Sequence, residues 1–265
     1  MPLKLADKLA AGIGLMFCYV VKYKREYIRN NLEHIFSGEE IEPEQINHYI
    51  KRTFINFARM MTDFFRLSYM EKKDFDVERD GIENANRALE EKRGCILLTM
   101  HLGNWDYAGA FLAADGVPII ALVEETDPEM FDLYTRNRER TGMKTFSIQK
   151  SAYAFLQTIR KNHLLAVLAD RDIMKNGIEV DFFNGRRAIP RGLADIIIRK
   201  KIPVVFAYMV FNPPGKNHRY LGKIEPHIVF EGTPEEFNRL MVSKFEEGIK
   251  KYPDQWLVFH PEWLE

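Results

Sequence analysis

Short apolar runs that alternate with longer amphipathic segments constrain the fold of this 265-residue chain more than any other feature. The pattern starts near residue 95 and continues to about residue 251. Each run is short and bounded by turn residues, which is typical of a buried strand, whereas the intervening segments have helical periodicity. Strands joined by helices form a parallel sheet that is covered on both faces. The pattern therefore predicts an α/β fold with a mostly parallel central sheet flanked by helices.

The individual elements follow from the same pattern. The predicted strands are residues 95–100, 118–123, 145–148, 164–169, 203–211 and 220–230. One predicted helix starts at about residue 105, and the others run over residues 127–141, 151–161, 190–200 and 233–251. Asp127 and Pro128 suit the cap and first turn of their helix. Functional loops in such a sheet lie beyond the carboxyl ends of the strands.

The first third of the chain has a different character. It is predicted to be mostly helical, with helices over about 42–67 and 83–92. We therefore assign residues 1–90 to a helical N-terminal cap and residues 91–265 to the α/β core, and we expect one compact domain.

An uncharged apolar run covers residues 9–21, with basic residues on both sides. A helix of this length reaches only about 20 Å, which is too short for a bilayer core of about 30 Å. The run does not end in the small residues of a signal-peptide cleavage site. Two interpretations remain: a helix packed on the domain, or a membrane-surface helix over residues 3–29 whose basic flank meets anionic headgroups.

Charge and cysteine content exclude several classes of function. The chain has 38 basic and 38 acidic residues, and this balance argues against a general nucleic-acid binder. Its two cysteines are too few for a disulfide framework or an all-cysteine zinc site, and they suit a reducing compartment. No G-x-S-x-G elbow is present, which argues against a serine hydrolase of the α/β type.

The segment HLGNWD, from His101 to Asp106, is the strongest chemical signal. His101 follows a predicted buried strand, where α/β enzymes place reactive groups. A loop containing Gly103 and Asn104 would let His101 meet Asp106 on the first helical turn. A carboxylate bound to one imidazole nitrogen leaves the other free as a base. The alternative is a structural histidine beside a capping aspartate.

The chain resembles the late acyltransferases of lipid A biosynthesis and their relatives, the bacterial phosphatidylinositol mannoside acyltransferases. HLGNWD has the form of their H-x4-D box. Further similar segments follow the family order: REYIRNNLEHIF at 25–36, ADRD at 169–172, VDFF at 180–183, PRG at 190–192 and DQWLVFH at 254–260. The resemblance therefore extends from about residue 25 to 263.

This resemblance implies a glycerolipid acyltransferase-like sheet and a peripheral enzyme at the cytoplasmic face of the bacterial inner membrane. The implied reaction moves a fatty acyl chain from a thioester, acyl-ACP (acyl carrier protein) or acyl-CoA, to a hydroxyl of a membrane lipid or glycolipid. The acceptor would resemble a lipid A precursor or a phosphatidylinositol mannoside. His101 would be the general base and Asp106 its orienting partner, with no covalent intermediate, metal, other cofactor or nucleic acid.

The resemblance also implies further site residues. Arg138, with Arg136 beside it, matches an R-x-R whose arginine stabilises the oxyanion, and Arg136 would contact substrate. Glu179 stands where the mannoside enzymes carry a glutamate that pairs with the catalytic histidine.

The remaining polar residues of the central block are assigned more broadly. Asp170 and Asp172 are interpreted as substrate contacts or loop-structuring groups. Arg187 and Arg191, in a predicted basic loop, would bind phosphates of coenzyme A, phosphopantetheine or an anionic lipid. His101 and the nearby aspartates also suggest an alternative, a metal-dependent phosphoesterase. A second alternative is that the chain is a non-catalytic lipid-binding relative of this family.

Overall fold

The computed structural model describes residues 2–125 and 128–264. The strands are β1 Val77–Asp80, β2 Cys95–Thr99, β3 Ile119–Val123, β4 Lys144–Ser147, β5 Leu164–Leu168, β6 Ile178–Phe182, β7 Gly185–Ile189, β8 Val204–Phe211, β9 Tyr220–Ile224 and β10 Trp263–Leu264. The α-helices are α1 Leu3–Val20, α2 Lys22–Ile35, α3 Pro43–Arg66, α4 Glu83–Glu90, α5 Trp105–Ala114, α6 Pro128–Glu139, α7 Ser151–Lys161, α8 Leu193–Lys200 and α9 Pro234–Lys251. Asp127, predicted to cap α6, lies outside the described residues.

Seven strands form the central sheet, in the order β1-β9-β8-β2-β5-β3-β4. Every neighbouring pair is parallel except β8 and β9. All five residues of β2, at the centre of the sheet, are buried. This explains why β2 reads as a continuous apolar run rather than as an alternating one. The predicted α/β class, with its mostly parallel sheet, flanking helices and N-terminal helices, is confirmed.

Helices cover both faces of the central sheet. Ile96 and Leu98 pack in one apolar core with side chains of α7, α8 and α9. Cys95 and Leu97 point the other way and pack with side chains of α4 and α5. Because successive strand residues face opposite sides, the short strand β2 serves two cores at once.

The strands differ from the sequence expectations in two places on this sheet. β1 lies within the region predicted to be mostly helical and pairs with β9 at the sheet edge. The predicted strand at 220–230 ends at Ile224, two residues before Pro226, because proline has no backbone N–H for the ladder.

A second, antiparallel sheet has the order β10-β7-β6. β6 contains Val180, Asp181 and Phe182 of the predicted VDFF strand and ends before Phe183. The prediction that Arg187 belongs to a basic loop is wrong, because β7 pairs with β6 as a hairpin and with β10 on its other edge.

Helix α1 packs on α3 through small side chains. Its buried residues are Ala6, Ala10, Gly14 and Cys18. A Cβ on Gly14 would lie 2.6 Å from the carbonyl oxygen of Phe54, so the two backbones approach closely. The large apolar side chains of α1 point outward, each about half exposed or more: Leu5, Leu9, Ile13, Met16, Phe17 and Val20. Within the described ranges, no helix combines the length and the apolar character needed to cross a bilayer.

Candidate active site

His101 and Asp170 meet because β2 and β5 are parallel neighbours. Thr99 lies opposite Leu168 in their register. His101 and Asp170 each lie two residues beyond this pair, where the chain leaves the same edge of the sheet. The carboxyl edge of a parallel sheet thus brings together two residues that are far apart in the sequence.

Asp170 binds His101 twice. Nδ1 of His101 lies 2.8 Å from Oδ1 of Asp170, and the backbone N–H of His101 donates to Oδ2 at 3.1 Å. The indole N–H of Trp256 donates to the same Oδ2 at 2.9 Å. Asp170 is fully buried. Burial alone would raise its pKa, but the charge of His101, these side-chain hydrogen bonds and the charge of Arg187 hold the pKa well below its usual range.

This arrangement prepares His101 to act as a base. An ionised carboxylate can only accept hydrogen bonds, so Nδ1 of His101 carries the hydrogen of this bond, and Nε2 is the nitrogen that can exchange a proton with a substrate. The His101 side chain is mostly buried but lines the cavity described below.

The expected pairing of His101 with Asp106 is wrong. Asn104 accepts a hydrogen bond from the backbone N–H of Tyr107 and so starts α5 at Trp105. Asp106, on the first turn, is bound by Arg138 of α6, at 2.6 Å from Nε and 3.3 Å from Nη2. Its carboxylate is therefore engaged by a guanidinium rather than by the imidazole.

Arg138 is held firmly beside the cavity. Burial would lower its pKa, but the charge and hydrogen bonds of Asp106 raise it above the usual value. Its guanidinium also lies over the rings of Phe64 and Tyr134, at 5.6 and 5.9 Å. Asp106 and Arg138 both line the cavity, so this ion pair presents a fixed cation there.

The loop between His101 and Asp106 is rigid. Gly103 has φ +69°, and a Cβ there would lie 1.9 Å from the carbonyl oxygen of Met209, so the position needs glycine. The Gly103 N–H donates to Gln255, and the Asn104 N–H donates to Met209. The Asn104 amide also donates to the hydroxyl of Tyr220 at 2.8 Å.

Two predicted site residues lie away from this site. Glu179, on β6, is more than half exposed and pairs with Arg186 at 2.5 Å, so its expected partnership with His101 is not formed. Arg136 lies exposed on α6, bound to Asp132, and does not line the cavity, contrary to the expected substrate contact.

The other predicted contacts divide between core and cavity. Arg187 is completely buried, so the prediction that it binds a phosphate is wrong. Arg191 is exposed and lines the cavity. Asp172 also lines it and accepts a hydrogen bond from the backbone N–H of Gly177 at 2.6 Å, which fixes the local loop.

A cavity of about 840 Å³ opens beside His101. On the α5 side of the sheet its walls carry small residues, which leave space between helix and strands: Ala108, Gly109, Ala121, Ala166, Ala207 and Gly222. On the opposite side α7 and α8 contribute Ser151, Phe155, Ile196 and Arg199. The cavity therefore has an apolar part under α5 and a part that carries charged side chains, including Arg191.

Sequence reasoning named Asp170 but not its role, and it missed Trp256 as a site residue. Trp256 lies in the closing segment 254–260, so the segment was noticed without its contact to Asp170. Among residues 2–125 and 128–264, no three His, Cys, Asp or Glu side chains are grouped so that they could hold a metal ion. The metal-dependent alternative gains no support from their arrangement.

Comparison with known proteins gives a consistent result. The family model for bacterial lipid A biosynthesis acyltransferases matches residues 1–265. A phosphatidylinositol mannoside acyltransferase of Mycolicibacterium smegmatis is 24% identical over 90% of this chain and 79% of the relative. A lipid A biosynthesis acyltransferase of Haemophilus influenzae is 26% identical over 97% of this chain and 80% of the relative. A phosphatidylinositol mannoside acyltransferase of Mycobacterium tuberculosis is 23% identical over 79% and 68%, respectively.

Proposed function

The chain belongs to the bacterial lipid A biosynthesis acyltransferase family, and we propose that it transfers a fatty acyl chain from a thioester to a hydroxyl of a membrane lipid or glycolipid, with His101 as the general base. The observation that carries this proposal is the His101–Asp170 pair, 2.8 Å apart beside a cavity with an apolar part. Acyltransferase activity on a lipid is the family's function. We propose in addition that the donor is a thioester, that His101 is the base and that the acceptor group is a hydroxyl.

The chemistry needs no covalent enzyme intermediate. Nε2 of His101 removes the proton of the acceptor hydroxyl as its oxygen attacks the thioester carbonyl. Asp170 holds the ring and stabilises the imidazolium that forms. The tetrahedral intermediate then expels the thiolate, which takes the proton back from Nε2, so that a free thiol leaves and the ester remains.

Arg138 is positioned to stabilise the tetrahedral oxyanion. A cation fixed before the reaction, in a site shielded from water, lowers the energy of developing negative charge. The hydrogen bond that Arg138 donates to Asp106 keeps its guanidinium at the cavity wall. Asp106 therefore supports catalysis through Arg138 rather than through His101.

The two parts of the cavity suit the two parts of a lipid substrate. The apolar part under α5 fits an acyl chain, since burial of each methylene is favourable by about 0.8 kcal/mol. The opposite part, with Arg191, Arg199 and Asp172, fits the polar region of a donor or acceptor. Phosphopantetheine, coenzyme A and an anionic lipid all carry phosphate that an arginine can bind.

Helix α1 supports binding at a membrane surface. Its outward side carries large apolar residues, and Lys4, Lys8 and Lys22 are exposed at its ends. Each such lysine adds about 1 kcal/mol near an anionic surface. Lys24 contributes less, because its ammonium donates to the carbonyl oxygen of Phe259 at 2.7 Å. We propose that the protein is a peripheral enzyme on the cytoplasmic face of the bacterial inner membrane.

Lipid mass spectrometry with and without the gene tests the reaction. A product heavier by one acyl chain identifies both the acceptor and the chain, and purified protein given acyl-ACP or acyl-CoA identifies the donor. His101→Ala should lower transfer about 10²–10⁴-fold. His48→Ala, an exposed histidine on α3, is the matched control. Turnover by His101→Ala at the level of this control would refute the mechanism.

Liposome sedimentation of the full chain tests the membrane contact. Leu9→Glu with Ile13→Glu should reduce binding to vesicles containing anionic lipid, because a carboxylate opposes insertion of the apolar side. Leu156→Glu, which alters an exposed leucine on α7, is the control. Equal binding by all three proteins would place the membrane contact away from α1.

A further inference from the structure

Arg187 has an unusual environment for a charged residue. It is 0% exposed, and none of its three guanidinium nitrogens has a hydrogen-bond partner among the described residues. Three aromatic rings surround it instead, with its Cζ 4.7 Å from the centroid of Trp256, 5.0 Å from Trp263 and 5.4 Å from Phe182. These rings come from the hairpin, the closing segment and β10.

A buried guanidinium without hydrogen bonds is unfavourable for folding, and an apolar side chain of similar length would avoid that penalty. Cation–π contacts with the three rings offset only part of it. Packing alone therefore does not explain why a cation stands at this position.

The carboxylates that act on Arg187 differ in what they can accept from it. Asp170 and Glu262 both attract it, and Arg171 repels it. Glu262 is already bound by Arg171, at 2.6 Å from Nε. Asp170 faces two ionisable groups, His101 and Arg187, and only His101 bonds it directly. The charge of Arg187 thus remains available to Asp170.

Trp256 connects the two groups physically. One face of its indole ring lies over the guanidinium of Arg187, and its N–H donates to Oδ2 of Asp170 at 2.9 Å. Oδ1 of the same carboxylate bonds Nδ1 of His101. The order of contacts is therefore Arg187, Trp256, Asp170, His101.

We propose that Arg187 is a positioning residue of the acyl-transfer reaction, which keeps Asp170 ionised and oriented behind His101. This inference rests on the proposed role of His101 as the base. The Arg187 charge opposes protonation of Asp170, and the stacked indole fixes the carboxylate. The same charge also offsets part of the attraction between Asp170 and a protonated imidazole, so its removal should change the pH dependence of His101.

Two measurements on the full chain test this proposal. Arg187→Met removes the charge and fills the space among the three aromatic rings, whereas Arg187→Lys keeps a charge. Arg186→Met, which alters the exposed neighbour on β7, is the control. The first measurement is kcat and KM for transfer against pH. The second is carbethoxylation of His101 by diethyl pyrocarbonate against pH, followed by peptide mass spectrometry, which needs no substrate turnover.

We expect Arg187→Met to lower kcat about 10- to 100-fold, the range typical of losing the outer partner of a metal-binding histidine. The acid limb of its pH–kcat profile and the midpoint pH of His101 carbethoxylation should both rise by about one pH unit. Without the charge of Arg187, nothing offsets the attraction of Asp170 for the imidazolium. Arg187→Lys should restore the midpoint toward wild type. Midpoints and kcat of Arg187→Met equal to those of Arg186→Met would overturn the proposal.

Arg187→Gln, also neutral, replaces the methionine variant if thermal unfolding shows that the latter does not fold. These measurements distinguish a failure of His101 as the base from a failure of Arg187 as a positioning residue. Transfer by His101→Ala at wild-type rates refutes the base, whereas the carbethoxylation profiles still report on Arg187. If His101→Ala is inactive but the carbethoxylation midpoint does not shift in Arg187→Met, only the role of Arg187 is refuted.

Discussion

Two arginines with largely buried side chains have opposite surroundings in this protein. Arg219, just before β9, is fully paired, with Nη1 and Nη2 on Asp7 at 2.6 and 2.7 Å and Nε on Asp63 at 2.9 Å. Burial would lower its pKa, but the hydrogen bonds that it donates to Asp7 and the nearby negative charges raise the pKa above its usual value. Arg187 has no such bonds among the described residues, and burial lowers its pKa to about 10 against the pull of Asp170.

The difference separates a structural charge from a functional one. Arg219 joins α1, through Asp7, to α3, through Asp63, and so fixes the N-terminal helices to the sheet. The guanidinium of Arg187 has no hydrogen-bond partner among the described residues, and its charge acts on Asp170, the carboxylate that holds His101. Substitutions in each region should therefore affect different properties of the molecule.

The largest expected effect comes from removing the anion between Arg187 and His101. Asp170→Asn should lower kcat/KM for transfer by about 10³–10⁴-fold, because an amide can bind the wrong tautomer of His101. Thermal unfolding measured alongside gives the folded fraction. Asp181→Asn, the same change at an exposed position on β6, is the control. A loss below tenfold would show that Asp170 does not set the state of His101.

Arg219→Met should have the next largest effect, on stability rather than on catalysis. It leaves Asp63 without its cation and Asp7 with only Arg59, at 3.5 Å, and breaking a buried pair from one side costs about 3–5 kcal/mol. Urea unfolding gives the free energy, and Arg187→Met, which removes a buried cation that forms no hydrogen bonds, is the comparison. If Arg187→Met destabilises the protein as strongly as Arg219→Met, the contrast between the two regions is not one of pairing.

Acid should weaken the Arg219 region in a specific way. Burial would raise the pKa of Asp7, but hydrogen bonding and the charge of Arg219 lower it below the usual value. A carboxyl whose pKa is lowered by folding stabilises the protein above its unfolded pKa, about 3.9, and loses this contribution as the pH falls.

The free energy of unfolding should therefore decrease from about pH 4 downward, and less steeply in Asp7→Asn, whose amide does not titrate. Urea midpoints at pH 7 and at about pH 3.5 measure the slope. A variant slope as steep as that of the wild type would mean that Asp7 is not one of the groups responsible.

The smallest effect is expected at Glu179. Glu179→Gln should change kcat/KM by less than about twofold, because exposed surface changes away from a site have small effects. Its carboxylate is largely in solvent and bound to Arg186. The same transfer assay decides this, with Asp181→Asn again as the control. A hundredfold loss would restore the role that the family resemblance implies and require the hairpin to move toward His101.

The central sheet could be predicted because its strands are buried on both faces. β2 and β5 therefore read as apolar runs, and His101 was found because it follows one of them. The partner of His101 could not be found in this way. Asp170 is its neighbour only because β5 lies beside β2, and strand order depends on packing between segments that are distant in sequence.

The environment of Arg187 was equally inaccessible to sequence reasoning. In sequence it lies among polar residues and resembles part of a solvated turn. Its burial depends on Phe182, Trp256 and Trp263, which three separate segments bring together. The partners of a charged residue decide whether it can be buried, and no local pattern contains them.

The short loop after β2 gives the H-x4-D spacing a different meaning. His101 and Asp106 belong to separate ion pairs, His101 with Asp170 and Asp106 with Arg138. The spacing therefore sets the rotational phase of α5. One inserted or deleted residue ahead of Asp106 would turn its carboxylate by about 100° around the helix axis, away from Arg138. A change in loop length should consequently break the pair of Asp106 and Arg138 even when every side chain of the H-x4-D box is kept.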